Sequence, residues 1–164
     1  MKGSTIYLYT DGSVNKEKTL GGWAFGICKE ENGELIHTDY GVVEGTHNTA
    51  EVGAIVNGLN YIYANLRDVN KVIIYSDSQY AVDPIYFDSL RIWESNGWRT
   101  QSNSPVKNLS TWQGMAKILQ VMKHRKISVD ARWVRGHNGN VNNERMDKLA
   151  KRAVSEKRLN ELYA

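Results

Sequence analysis

The feature that most limits how this chain can fold is a change of period near residue 48. Before it lie three extended segments, residues 4–10 (STIYLYT), 20–29 and 34–43, rich in β-branched and aromatic residues. From Asn48 to Leu66, Val52, Ile55, Val56, Leu59, Ile62 and Tyr63 recur at helical spacing, which predicts a helix of about five turns. The period then reverts, because Lys71–Ser76 (KVIIYS) is a compact β-branched run. A strand reached through a long helix lies parallel to the strand before the crossover or to a neighbour of it.

The local signals fill in this frame. The first strand is expected to stop at the turn cluster Asp11-Gly12-Ser13, and the next two to form a tight hairpin across Asn32-Gly33. Asn48 or Thr49 can cap the first helix. Residues 78–85 read as a short helix, 86–107 as irregular chain punctuated by Gly97 and Pro105, 109–123 as a helix and 127–134 as a last strand. After the loop 135–140, Asn142 or Asn143 can cap a final helix in which Met146, Leu149, Ala150, Ala153 and Val154 form one apolar stripe. This order predicts an α/β fold: a mixed five-stranded sheet, an antiparallel three-strand meander plus two parallel strands, with helices on both faces.

With 164 residues, 41% hydrophobic and 24% charged, the chain suits one globular domain spanning 1–164. From Met1 and the full set of elements an independent protein is expected. No apolar stretch approaches the ~18 residues of a membrane span, and the N-terminus lacks a signal-peptide pattern. Cys28 is the only cysteine, which rules out an internal disulfide and a CxxC zinc site. A monomeric cytoplasmic protein with no membrane partner is expected. The charge is uneven: residues 1–114 hold nine Lys/Arg against thirteen Asp/Glu, and residues 115–164 hold twelve against five. A C-terminal net of +7 suits a polyanionic partner or a solvated basic helix face.

The acids are the most informative residues. Asp11 and Asp77 each end a predicted strand, and open α/β sheets build sites beyond the carboxyl ends of their parallel strands. Glu51 and Asp147 each fall in the first turn of a predicted helix. Singly they read as turn or cap residues. Together, converging carboxylates repel one another unless a cation neutralises them, and hard oxygen donors point to Mg²⁺ or Mn²⁺. Two such ions serve in-line phosphoryl chemistry.

Thr10-Asp11-Gly12-Ser13, Asn48…Glu51, Tyr75-Ser76-Asp77-Ser78-Gln79-Tyr80, Gly97-Trp98, Pro105-Val106-Lys107-Asn108, Trp133-Val134-Arg135-Gly136-His137 and Asn143-Glu144-Arg145-Met146-Asp147 stand in this order over about residues 4–155. The series resembles type 1 ribonuclease H. The resemblance implies a ribonuclease H-like fold and endonucleolytic cleavage of the RNA strand of an RNA/DNA hybrid, leaving 5′-phosphate and 3′-hydroxyl ends. It implies that Asp11, Glu51, Asp77 and Asp147 hold two Mg²⁺ ions, with Mn²⁺ as a substitute, and that His137 serves in proton transfer or product release. Gly12, Ser13, Asn48 and Gln79 match positions that read the RNA strand, where 2′-hydroxyls line a wide, shallow minor groove. Thr46, Asn15, Trp93 and Trp98 match the DNA-strand side, although the two tryptophans also suit packing within the 86–107 segment.

The chain departs from the family pattern in places. Val14-Asn15-Lys16-Glu17-Lys18 replaces the usual Asn-Pro-Gly, His47 stands where asparagine is common, and Thr49 stands where arginine is common. In 86–107 only Arg91, Arg99 and Lys107 oppose Asp88 and Glu94, so the expected grip on substrate is either weaker or leans on Arg135, Arg145 and Lys148 instead. Two rival readings are a ribonuclease H-like DNA nuclease or strand-transfer enzyme, and a non-catalytic hybrid-binding module. The four acids argue against the second, since a binding module gains nothing from carboxylates beside phosphates.

Overall fold

The computed structural model describes residues 3–135 and 140–163. Its elements are β1 (Ser4–Val14), β2 (Leu20–Cys28), β3 (Leu35–Glu44), α1 (His47–Asn65), β4 (Val69–Ser76), α2 (Gln79–Tyr86), α3 (Ser89–Ser95), α4 (Leu109–His124), β5 (Ser128–Trp133) and α5 (Val141–Tyr163). One five-stranded sheet runs in the order β3-β2-β1-β4-β5. The β1–β2 and β2–β3 pairs are antiparallel, and the β1–β4 and β4–β5 pairs are parallel. The expected meander with two parallel strands is therefore present.

Side chains alternate across a strand, so the two faces make two cores. On one face Ile6, Leu8, Phe25, Ile27, Val72 and Ile74 pack against α1 and α4, through Val52, Ile55, Leu59, Trp112, Met115 and Met122. On the other, Tyr9, Ala24, Cys28, Ile73 and Tyr75 pack against Met146 and Ala150 of α5. Helices thus cover both faces. The α5 helix rides so close to β2 at Gly22 that a Cβ there would strike the Ala150 carbonyl; a side chain could be added only by lifting the helix off the sheet. Among the described residues no helix is long and apolar enough to cross a membrane.

Several local expectations change. The first strand does not stop at Asp11. Its parallel pairing with β4 ends at Tyr9–Tyr75, while its antiparallel pairing with β2 continues to Val14–Gly21. The Asn32-Gly33 link is not a two-residue hairpin, because Cys28 pairs with Leu35 and leaves 29–34 as a loop. Within it Asn32 adopts a left-handed conformation (φ 56°), and its N–H donates to the Tyr9 hydroxyl at 2.7 Å. A tyrosine from β1 holds this loop.

The first helix starts earlier than the pattern suggests. Thr46, not Asn48 or Thr49, is its N-cap residue, and the Thr46 N–H meets Thr49 Oγ1 at 3.4 Å. Glu51 consequently sits in the second turn. Likewise α5 begins at Val141, with Asn140 Oδ1 accepting from Asn143 N at 3.1 Å, so neither Asn142 nor Asn143 is the cap and Asp147 also falls in the second turn. Segment 86–107 is not irregular throughout: it contains α3 and a bridge between Arg99 and Pro105, because Leu90 and Trp93 anchor a short helix on the core.

Candidate active site

Asp11 lies on β1 just beyond its last parallel pair with β4. It is 5% exposed, and its Oδ1 accepts the Gly12 N–H at 2.9 Å. Opposite stands α1: a Cβ on Gly12 would come within 2.7 Å of the Glu51 backbone nitrogen. That close approach sets the fully buried Glu51 beside Asp11. Asp77 is the first residue after β4. Its backbone is pinned by Trp133 Nε1, which donates to the Asp77 carbonyl at 3.0 Å, and by flanking Ser78, which caps α2 by accepting from Ala81 N at 3.2 Å.

These placements bring one carboxylate oxygen each from Asp11, Glu51 and Asp77 to within 4.8 Å of one another. Burial, then repulsion from Glu51 and Asp77, pushes the Asp11 carboxyl well above the usual carboxylate range. Burial, then repulsion from Asp77, does the same to Glu51. Among the described residues no hydrogen bond of good geometry reaches either oxygen of Glu51, although His47 Nε2 stands 3.1 Å from Oε1. A buried carboxylate without well-formed hydrogen bonds is costly, and a divalent cation supplies what it lacks. The donor set, all oxygen and without sulfur, fits a hard ion such as Mg²⁺ or Mn²⁺.

Asp147 is not part of this three-acid cluster. Its Oδ2 accepts from Lys151 Nζ at 3.1 Å, although its charge still raises Glu51. His137 lies outside the described residues. The RNA-strand candidates flank the acids: Gly12 and Ser13 follow Asp11 on β1, Asn48 is exposed in the first turn of α1, and Gln79 is exposed as the first residue of α2.

The DNA-strand candidates are engaged in structure. Asn15 closes the β1–β2 turn, its Oδ1 accepting from Thr19 N at 2.9 Å and Leu20 N at 3.1 Å. Thr46 begins α1. Trp93 and Trp98 pack against the main core, with Trp93 edge-on to Trp112 at 5.6 Å. The packing alternative for the tryptophans is what the structure displays.

Sequence reasoning missed two neighbours of the site. His47 Nε2 stands 3.1 Å from Glu51 Oε1, and the spacing of four on one helix was the available signal. Tyr80 accepts from Asn108 Nδ2 and from Trp112 Nε1, both at 3.0 Å, and Asn108 Oδ1 in turn accepts from Thr49 Oγ1 at 3.3 Å. This chain of bonds ties the start of α4 to α1 and α2, and no periodicity reveals it.

The sequence model of the RNase H family matches residues 3–155. The chain belongs to the RNase H family. The ribonuclease H of Polaromonas naphthalenivorans (strain CJ2) is 36% identical over 149 residues, covering 91% of this chain and 86% of that protein. That of Nitratidesulfovibrio vulgaris (strain DP4) is 37% identical over 161 residues, covering 95% and 93%. Among solved structures, LC9-RNase H1, a type 1 RNase H with the type 2 active-site motif, superposes with a TM-score of 0.76 at 22% identity, covering 95% of this chain and 74% of that one. LC11-RNase H1 in complex with an RNA/DNA hybrid gives 0.67 at 21%, covering 93% and 98%. Family membership makes the chain a nuclease, and the structural likenesses carry the ribonuclease H fold.

Proposed function

We propose that this protein hydrolyses the RNA strand of RNA/DNA hybrids with two divalent ions, Mg²⁺ first among them, leaving 5′-phosphate and 3′-hydroxyl ends. The observation that carries the reading is the convergence of Glu51, fully buried and without a well-formed hydrogen bond among the described residues, on Asp11 and Asp77. Asp11, Glu51 and Asp77 would hold the ions, and Asp147 would join them by exchanging its Lys151 contact for metal. When bound, the ions lower the pKa of the attacking water and neutralise charge on the scissile phosphate and leaving 3′-oxygen.

The chain's own residues supply positioning. The N-terminal turns of α1 and α2 carry Asn48 and Gln79 beside the acids, where short polar side chains suit 2′-hydroxyls in a shallow minor groove. The backbone at Gly12 and the hydroxyl of Ser13 continue that surface along β1. Thr46, at the start of α1, suits a phosphate of the DNA strand. Asn15, through its second amide hydrogen, and Trp93 and Trp98, through their partly exposed edges, would complete the DNA side. His137 would act as a proton carrier near the products. We further read the protein as a monomer of the reducing cytoplasm, in line with its single, buried cysteine.

Cleavage of an end-labelled hybrid beside matched duplex RNA and duplex DNA, with Mg²⁺ and with EDTA, tests the proposal. Metal-dependent cutting of the hybrid's RNA strand alone supports it. Cutting of DNA would move the chain to the strand-transfer branch, and tight binding without cutting would make it a hybrid-binding module.

A further inference from the structure

The acids are not the only donors at their end of the molecule. His47 opens α1 and Glu51 follows it four residues later, a spacing that stacks two side chains on the same helix face. His47 Nε2 lies 3.1 Å from Glu51 Oε1. That distance would suit a hydrogen bond, yet Oε1 accepts none of good geometry among the described residues. The ring nitrogen is therefore close to the oxygen without being aimed at it. Glu51 is wholly buried, whereas the His47 side chain is 53% exposed, so the pair joins the buried acids to the surface.

An off-axis contact of this length is what two ligands of one ion make. Donors in adjacent positions of an octahedral ion with bonds of about 2.1 Å lie about 3.0 Å apart, and both point at the ion instead of at each other. Two ligands four residues apart on one helix face readily share a metal. Further ligands are at hand, because Asp11 and Asp77 bring carboxylate oxygens within 4.8 Å of one from Glu51. An imidazole changes the character of such a set. Hard carboxylates with one ring nitrogen suit a transition ion that accepts both donors, Mn²⁺ being the one already compatible with the acids, better than Mg²⁺, which is held through oxygen.

We propose that His47 is a ligand of the active-site metal: with Mn²⁺ bound, its Nε2 joins Glu51 on one ion. The nitrogen makes the site favour Mn²⁺ over Mg²⁺ more than the carboxylates alone do. This role rests on Asp11, Glu51 and Asp77 being the metal site.

The test is pulsed electron paramagnetic resonance of Mn²⁺ added to the full chain without substrate, with Mn²⁺ and Mg²⁺ affinities measured by calorimetry. A directly coordinated imidazole gives bound Mn²⁺ a nitrogen hyperfine coupling that carboxylates and water cannot give. The coupling is expected in the parent and absent in His47→Gln, which should keep the parent's circular dichroism because the ring is half exposed. The same substitution should weaken Mn²⁺ binding about tenfold and Mg²⁺ binding less than about twofold. Bound Mn²⁺ without nitrogen coupling in the parent, a coupling that survives in His47→Gln, or equal losses of the two ions would each overturn the proposal and leave the acids as the metal site; equal losses would make His47 a residue that only orients Glu51. Failure of the parent to bind Mn²⁺ at all would overturn both the proposal and the reading of the acids.

Discussion

Gly12 and Glu51 touch across the strand–helix boundary so closely that a methyl group on the glycine would lie 2.7 Å from the glutamate's backbone nitrogen and 2.9 Å from the Ala50 carbonyl carbon. Both obstacles are main chain, so side-chain rotation cannot relieve them. Gly12→Ala is therefore expected to push α1 away from β1, costing about 1–3 kcal/mol as overpacked substitutions do, and to separate Glu51 from Asp11. Urea unfolding checks the stability and hybrid cleavage checks the site. An unchanged midpoint with unchanged cleavage would show that the contact is soft.

The acid cluster makes the metal-free protein sensitive to pH. Burial and mutual repulsion raise Asp11 and Glu51 above their ordinary values, so the folded chain keeps protons that the unfolded chain releases near its ordinary carboxylate pKa. Stability in EDTA is then greatest below that range and falls as pH rises toward the raised folded-state values. Mg²⁺ should cancel the slope. Glu51→Gln should be more stable than the parent at pH 8 in EDTA, by about 1 kcal/mol or roughly 3 °C, and should lose the response to Mg²⁺. Thermal melts across pH with both metal conditions read this directly.

The bonds that Tyr80 accepts from Asn108 and Trp112 give the root of the 86–107 segment its rigidity. Tyr80→Phe keeps the ring but orphans an indole N–H on a tryptophan that is 1% exposed. A loss of about 1–3 kcal/mol is expected. Hybrid affinity should fall more than turnover, since Thr49 and Thr46 are linked to the same network; equal stability of the two proteins in urea would contradict this.

Lys151 restrains Asp147 at 3.1 Å, and the proposed mechanism requires that carboxylate to turn toward metal. Lys151→Ala should lower the Mg²⁺ concentration for half-maximal cleavage about two- to threefold, the equivalent of an exposed pair worth roughly 0.5 kcal/mol. A higher requirement would mean that the lysine aids Asp147.

Much of this was legible in the sequence because the signals are local. KVIIYS followed by Asp77, and the α1 stripe from Val52 to Tyr63, each state their structure in a few residues. The site was legible because three acids sit next to strand or helix ends whose type could be read. The boundaries were less so. Thr46 displaced the expected caps because Thr49, three residues on, receives its N–H, and Asn140 did the same for α5 through Asn143. In place of the tight hairpin expected at Asn32-Gly33 stands the 29–34 loop, because its geometry depends on Tyr9, more than twenty residues away in sequence. Long-range bonds of that kind leave no period behind. The convergence of Glu51 on Asp11 is also non-local, and its one sequence trace is the glycine that permits it.

The most direct test of the account is Asp77→Asn, assayed for cleavage of the RNA strand of a hybrid across a Mg²⁺ titration, with hybrid binding measured in parallel. Asparagine keeps the size of Asp77 and removes the charge that the cluster presents to a cation. The account predicts loss of cleavage at every Mg²⁺ concentration with hybrid binding retained. Turnover near the parent level at saturating Mg²⁺ would contradict it, because the three converging acids would then not be the metal site.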